Sequence, residues 1–424
     1  MVGWSLKGAW LVWLLSLLQL PARAVSWQVS SKGSGSQTTG ATLGSLQKAI
    51  HLASAGDTIY VHKGVYKEGL IQVDKPLVLI GIGRPTLDGE GKGQILSIKA
   101  DAVTVKGFRL IRSGVSSLED IAGIKVYSRK EVRIMDNILE GTFFGIFLEK
   151  SEHCVIMGNQ ISGLGKTDQQ SGNGIHCWGS DQVMILNNHI SGHRDGIYFE
   201  FVTRSLIRGN SSSGNSRYGL HFMFSNEDVY INNVFKNNNA GVSVMFSKGV
   251  TMLKNHFEDN WGDGCYGIFL KELTDSRIFA NRIVKNTTGI SVEGSNRILI
   301  KNNVFEANGW ALKIDASCLS DTVSHNNFMG NSFDIATTGT AVENLFTHNY
   351  WDKYEGYDRN KDRIGDIAYH PVSMFSMIVA QNPTTMILFR SVMANLFDKM
   401  EKLLPGITPV QLVDPFPFMQ PINL

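Results

Sequence analysis

Charge is scarce in this 424-residue chain: 18% of the residues are Asp, Glu, Lys or Arg, and 40 basic residues nearly cancel 38 acidic ones to leave a formal charge of +2. No run of five like charges occurs, so the chain builds no nucleic-acid surface or polyanion stripe, and nucleic acid is not expected as a partner. Long apolar runs are missing too. The stretch from Ala9 to Leu20 is a dozen residues, against the roughly 20 that a spanning helix needs. Cysteine is sparse. Cys154, Cys177, Cys265 and Cys318 share no column of the repeat described below, so stacking pairs none of them; disulfides and free thiols both stay open.

What is present begins with an address. Lys7 precedes the short apolar run, and Pro21 with the small-residue triplet Ala22-Arg23-Ala24 follows it. This pattern predicts a secretory signal, residues 1–24, cut after Ala24. No twin arginine precedes it, so export in an unfolded state and work outside the cytoplasm are expected.

The body of the chain repeats. Glycine followed by an aliphatic residue recurs at Gly123, Gly145, Gly174, Gly196, Gly219, Gly241, Gly267 and Gly289, with spacings of 22, 29, 22, 23, 22, 26 and 22. Fourteen residues after each glycine stands an asparagine: Asn137, Asn159, Asn188, Asn210, Asn233, Asn255, Asn281 and Asn303. Apolar residues occupy the first, third, eleventh and sixteenth positions, with Tyr230 and Ser212 as departures. Three short strands per coil, each buried on one face, stack like on like and cannot form hairpins. The expected fold is all-β, a right-handed parallel β-helix with coils of about 22 residues. Its rungs lie about 4.8 Å apart, so a column of asparagines can bond up and down the stack while taking the left-handed conformation of a tight turn. Ser45 to Ala55 has helical spacing and is expected to cap the open end. Four segments follow: 1–24 signal, 25–349 solenoid, 350–382 turn-rich linker, and 383–424 a C-terminal helix and apolar tail.

The repeat supplies a register for finding a site. The second and fourth positions after each glycine should point outward, and on neighbouring coils they present His176, Trp178, Tyr198, Glu200, His221, Met223 and Met245 as an exposed patch. Met223 and Met245 fall in one column on adjacent rungs, with His221 two residues from Met223. Thioether and imidazole suit cuprous copper and suit calcium or magnesium poorly, so His176, His221, Met223 and Met245 are the candidate metal ligands. Two coils carry extra residues, around Leu164 to Asn173 and Asp259 to Tyr266, and these are expected to bracket the patch as loops. The bland alternative packs the same methionines and aromatics beneath those loops.

A polysaccharide-binding or polysaccharide-cleaving enzyme is the competing reading, because Glu149 and Glu200 share a column about two rungs apart. Trp178 stands between them, however, and no nucleophile with an adjacent base accompanies them, so no catalytic residue is assigned and a non-enzymatic protein is expected. Asp358, Asn360, Asp362 and Asp366 imitate a calcium loop, but Arg363 replaces its glycine and no bidentate Glu follows. A polar turn is the preferred reading there.

Asn382-Pro383 is a helix start, and Met386, Phe389, Met393, Leu396, Phe397 and Met400 then mark an amphipathic helix that ends at Pro405-Gly406. The proline-rich remainder is not expected to add cleanly to the solenoid. Helix and tail either fold back over the last coil or dock into another protein's apolar groove.

The blocks RDGIYFEF (194–201), RYGLHFMFSN (217–226) and GVSVMFS (241–247), with the arm MILFRSVMANLF and its closing DPFPFM, resemble the NosD family across essentially the whole mature chain. That resemblance implies a periplasmic accessory protein without enzymatic activity, serving assembly of the copper centres of nitrous-oxide reductase. It implies transiently bound copper, an ABC-type permease and ATPase as partners, and a small copper-chaperone lipoprotein as donor. Membrane association would then come through those partners, with the arm after Pro383 contacting the permease.

Overall fold

The computed structural model describes residues 25–31, 42–116, 118–163, 171–338, 343–389, 391–403 and 412–424. Both the expected signal and part of the first expected loop, 164–170, lie outside them. The chain is a right-handed parallel β-solenoid of about 12 turns. Among the described residues three parallel sheets, here A, B and C, contain 15, 13 and 12 strands, and a regular coil gives one strand to each. The coil that starts near Gly196 supplies Asp195–Glu200 to sheet C, Leu206–Arg208 to sheet A and Ser211–Ser213 to sheet B. The register follows the repeat. Ile124, Ile146, Ile175, Ile197, Leu220, Val242, Ile268 and Ile290 pair in succession, and all are fully buried. Alternation drives this arrangement, since each strand can bury one face in the shared core.

The asparagine column is a continuous ladder. From Asn137 to Asn349, each side-chain amide donates to the Oδ1 of the next asparagine at 3.0–3.1 Å. The left-handed residue is not the ladder asparagine but the one before it: Asp136, Asn187, Asn232, Lys254, Ala280 and Asn302 have φ of 53–56°. The turn places its strained residue first, which leaves the asparagine side chain free to turn inward and bond along the stack. Five residues further on runs a second row, Asn215, Asn238, Asn260, Asn286, Asn308 and Asn331. Each backbone N–H donates to the next Oδ1, and His193 stands at the head of the row, its own N–H donating to Asn215.

Helix α1, Leu46–Leu52, closes the first coils. Its N-cap Ser45 accepts from the Lys48 N–H, the Glu68 carboxylate accepts from Leu46 and Gln47, and Leu46, Ala49 and Ile50 are buried. At the other end the segment 350–382 contains helix α2, Met374–Gln381. A 3-10 segment, Pro383–Leu388, and helix α3, Val392–Leu403, follow, so the arm is broken around Phe389 and is not one continuous helix. Phe375, Val379 and Ala394 pack on Trp310, Phe333 and Ala336. The tail, against expectation, does join the solenoid. Phe418 bridges Tyr350 in parallel and Ile364 in antiparallel fashion, while Asp414 bridges Tyr369. Isolated bridges need few N–H donors, so the prolines beside Phe416 and Phe418 are tolerated. No helix among the described residues is long and apolar enough to cross a membrane.

Candidate functional site

Sheet C carries the expected columns in the expected register. Phe147, His176, Tyr198, His221, Ser243 and Phe269 pair along one outer row; Glu149, Trp178, Glu200, Met223, Met245 and Lys271 pair along the other. Their exposure differs from expectation. The second row is half-buried, but the first is largely covered: His176 is 9% and His221 5% exposed. The residue before each glycine does the covering. The Phe144 ring lies 5.4 Å from His176, and the Tyr218 ring lies 4.8 Å from His221. Strand alternation along one coil does not report this, because the covering rings of Phe144 and Tyr218 stand one position before the glycine of their strands.

The four predicted ligands are therefore not equivalent. Met223 and Met245 are direct partners on adjacent strands, and His221 is on the same outer face as Met223. His176 is two rungs away with a ring between. Tyr198 sits 4.8 Å from His176 and 4.7 Å from His221 by ring centroids, and its hydroxyl donates to the Met223 sulfur at 3.8 Å. Burial pushes the Tyr198 phenol up to about 12, so that hydroxyl keeps its proton. Burial, helped by Arg194, Lys125 and His221, pushes His176 down to about 3 and keeps it neutral.

Along the neighbouring row the polar atoms are short of partners. Neither ring nitrogen of His221, nor Nε2 of His176, nor Oδ1 of Asp195 makes a hydrogen bond among the described residues, and Asp195 is 1% exposed. Asp195 Oδ2 faces His221 Nδ1 at 3.5 Å, and the Arg217 Nε lies 3.9 Å from Oδ1. Buried polar atoms in this state are costly unless a ligand meets them. No group of three or more His, Cys, Asp or Glu side chains is arranged to hold an ion among the described residues. An ion held here must use the thioethers, and a Met pair with one imidazole is a soft donor set.

Beside the methionines the sequence holds a feature that alternation arguments pass over. At the fifth position of three successive coils stand Phe201, Phe224 and Phe246, with φ of 52–54° and rings stacked 5.2 and 5.1 Å apart. Other coils place Ser128, Lys150, Gly179, Glu272 and Gly294 there. Three bulky residues in the left-handed region, two of them exposed, are unusual enough to mark the position, and the triple Phe at one offset is the signal that finds it.

The other candidates resolve differently. Glu149 is held by Lys125 at 3.4 Å, and Trp178 stands in the ladder between Glu149 and Glu200. In the calcium-like segment, Asp358 accepts from the N–H groups of Lys361, Asp362 and Arg363, Asp362 from Ile364, and Asp366 from Arg359. These lone pairs are turned to the backbone, as in a polar turn. All four cysteines are free and buried. In the arm, Met386, Met393, Leu396 and Met400 are exposed, whereas Phe389 and Phe397 are half-buried, Phe389 against Phe333 at 5.4 Å.

Comparison with known proteins finds likenesses of sequence and of fold. Residues 159–356 match the model described as "Periplasmic copper-binding protein (NosD)". The chain is 28% identical over 373 residues to the "Probable ABC transporter binding protein NosD" of Stutzerimonas stutzeri, covering 83% of this chain and 85% of that one. The Pseudomonas aeruginosa protein of the same description is 28% identical over 371 residues, covering 83% and 86%. Among solved structures, the Azotobacter vinelandii mannuronan C-5 epimerase AlgE6 A-module matches with a TM-score of 0.54 at 15% identity, over 71% of this chain and 86% of that one, a likeness of fold.

Proposed function

We propose that this chain, similar over residues 159–356 to the NosD family and 28% identical to two NosD proteins, has a NosD-type accessory role and works in the periplasm as a non-enzymatic protein that handles cuprous copper. In this reading residues 1–24 are a cleaved export signal, and the copper serves assembly of the copper centres of nitrous-oxide reductase. A copper-chaperone lipoprotein delivers the ion. An ABC-type permease and ATPase hold the protein at the membrane through the exposed Met386, Met393, Leu396 and Met400, with Phe389 and Phe397 anchoring that face from below.

One observation carries the reading: Met223 and Met245 are paired on adjacent rungs, with a buried, unpartnered His221 beside them. Copper is cargo here, so a site of few soft ligands at a half-buried face suits binding and release better than a closed cage. His176 stands one aromatic ring further along the same row.

Cuprous titration of the mature protein against a competing chelator tests this. One ion should bind the wild type, and the Met223→Ala/Met245→Ala variant should lose at least tenfold in affinity. Equal affinity in the two would overturn the site.

A further inference from the structure

The two histidines of the outer row are faced by groups of opposite character, an amide N–H at His176 and a carboxylate oxygen at His221. His176 is faced by an amide: Asn173 Nδ2 lies 3.2 Å from its Nδ1. The amide's orientation is set from its other side, since the Arg194 Nη2 donates to Asn173 Oδ1 at 3.5 Å. With Oδ1 turned to a guanidinium, Asn173 offers N–H to the imidazole, so Nδ1 of His176 must accept. The neutral ring then carries its proton on Nε2, the nitrogen that a metal would otherwise meet.

His221 is faced by a carboxylate. Asp195 Oδ2 is 3.5 Å from Nδ1, and a carboxylate oxygen in that position is an acceptor. The favoured tautomer has its proton on Nδ1, which leaves the Nε2 lone pair free. That nitrogen is buried and has no hydrogen-bond partner among the described residues. The arrangement is rigid, because Asp195 and His221 lie on adjacent paired strands and are 1% and 5% exposed. The Arg217 Nε at 3.9 Å from Asp195 balances the buried charge.

We propose that Asp195 is the positioning residue of the copper site: it fixes His221 as an Nε2 ligand beside Met223 and Met245, whereas Asn173 and Arg194 hold His176 in the tautomer that does not ligate. This rests on the copper reading for its consequence, but the tautomers themselves do not. A carboxylate behind a ligating imidazole orients the ring and strengthens it as a donor, and losing such a partner typically costs about 10–100-fold in metal affinity.

Two measurements test it. Long-range proton–nitrogen correlation spectra of the metal-free protein with labelled histidine read the tautomers directly. Nδ1–H at His221 and Nε2–H at His176 are expected, and the reverse at either ring overturns the assignment. Cuprous titration then compares variants whose folding is checked by circular dichroism. Asp195→Asn and His221→Gln should each weaken binding by tenfold or more, while His176→Gln should stay within about twofold of wild type. Unchanged affinity in Asp195→Asn, or equal loss from the two histidine variants, overturns the proposal. If the wild type binds no cuprous ion, the copper reading fails while the spectra still decide the tautomers.

Discussion

Asp414 ends the ladder that Asn349 would otherwise leave open: one carboxylate oxygen accepts from the backbone N–H and the side-chain amide of Asn349, both at 3.0 Å. The same oxygen accepts from the Trp351 indole at 3.1 Å, and the other accepts from the His348 N–H. A residue of the proline-rich tail thus takes the place of the next asparagine. Asp414→Ala leaves buried donors without partners and should cost about 2–3 kcal/mol, with early proteolysis at residues 412–424. Asp414→Asn keeps an acceptor and should recover part of that loss. Proteolysis rates and denaturation midpoints for the pair check the prediction.

Tyr230 breaks the apolar column of sheet A, and its hydroxyl lies in the core without a hydrogen-bond partner among the described residues. Its ring packs on Phe222 and Phe235. Removing the oxygen removes a desolvation cost and keeps the packing. Tyr230→Phe should stabilise by about 1 kcal/mol, measured as a shift in the urea midpoint at constant slope.

His193 occupies the place of an asparagine at the head of the second row and is 1% exposed. Burial pushes its imidazole down to about 4, with the carbonyls of Gly172 and Phe143 pulling weakly the other way. The unfolded ring takes up a proton near 6.5, and the folded ring does so only near 4, so stability falls as pH drops through that window. The loss should total about 3 kcal/mol across it. His193→Asn should remove this contribution and flatten the stability curve between pH 6.5 and 4, which thermal melts along a pH series would reveal.

The arm offers a test of the transporter contact. Truncation after Asn382 would also delete Asp414 and unseat the end of the solenoid, so point substitutions separate the two effects. Met393→Glu with Leu396→Glu places two charges on side chains that are half exposed, and should leave the melting curve unchanged. Co-purification with the permease should fall at least tenfold. Retained association would move the contact elsewhere.

The solenoid was legible because the repeat is written twice, in the glycines and in the asparagines fourteen residues later. The second polar row was equally present, five residues after the first, in Asn215, Asn238, Asn260, Asn286, Asn308 and Asn331; the breaks at His193 and Thr142 hide it from an inspection that starts at the first coils. Columns on sheet C could be read to the residue, but not their burial. Whether His221 meets solvent depends on the Tyr218 ring and the Asp195 carboxylate beside it, and strand alternation is silent about such neighbours. The end cap was unreadable for a different reason. Asp414 lies 65 residues from Asn349, and nothing local in DPFPFM marks its carboxylate as a ladder rung.

X-ray absorption of the protein loaded with one cuprous ion tests the central claim most directly, since it counts the ligand atoms around the metal. Two sulfurs and one imidazole nitrogen are expected in the wild type, with sulfur lost in Met223→Ala/Met245→Ala. A first shell of nitrogen and oxygen alone, or a sulfur count unchanged in that variant, would contradict the account.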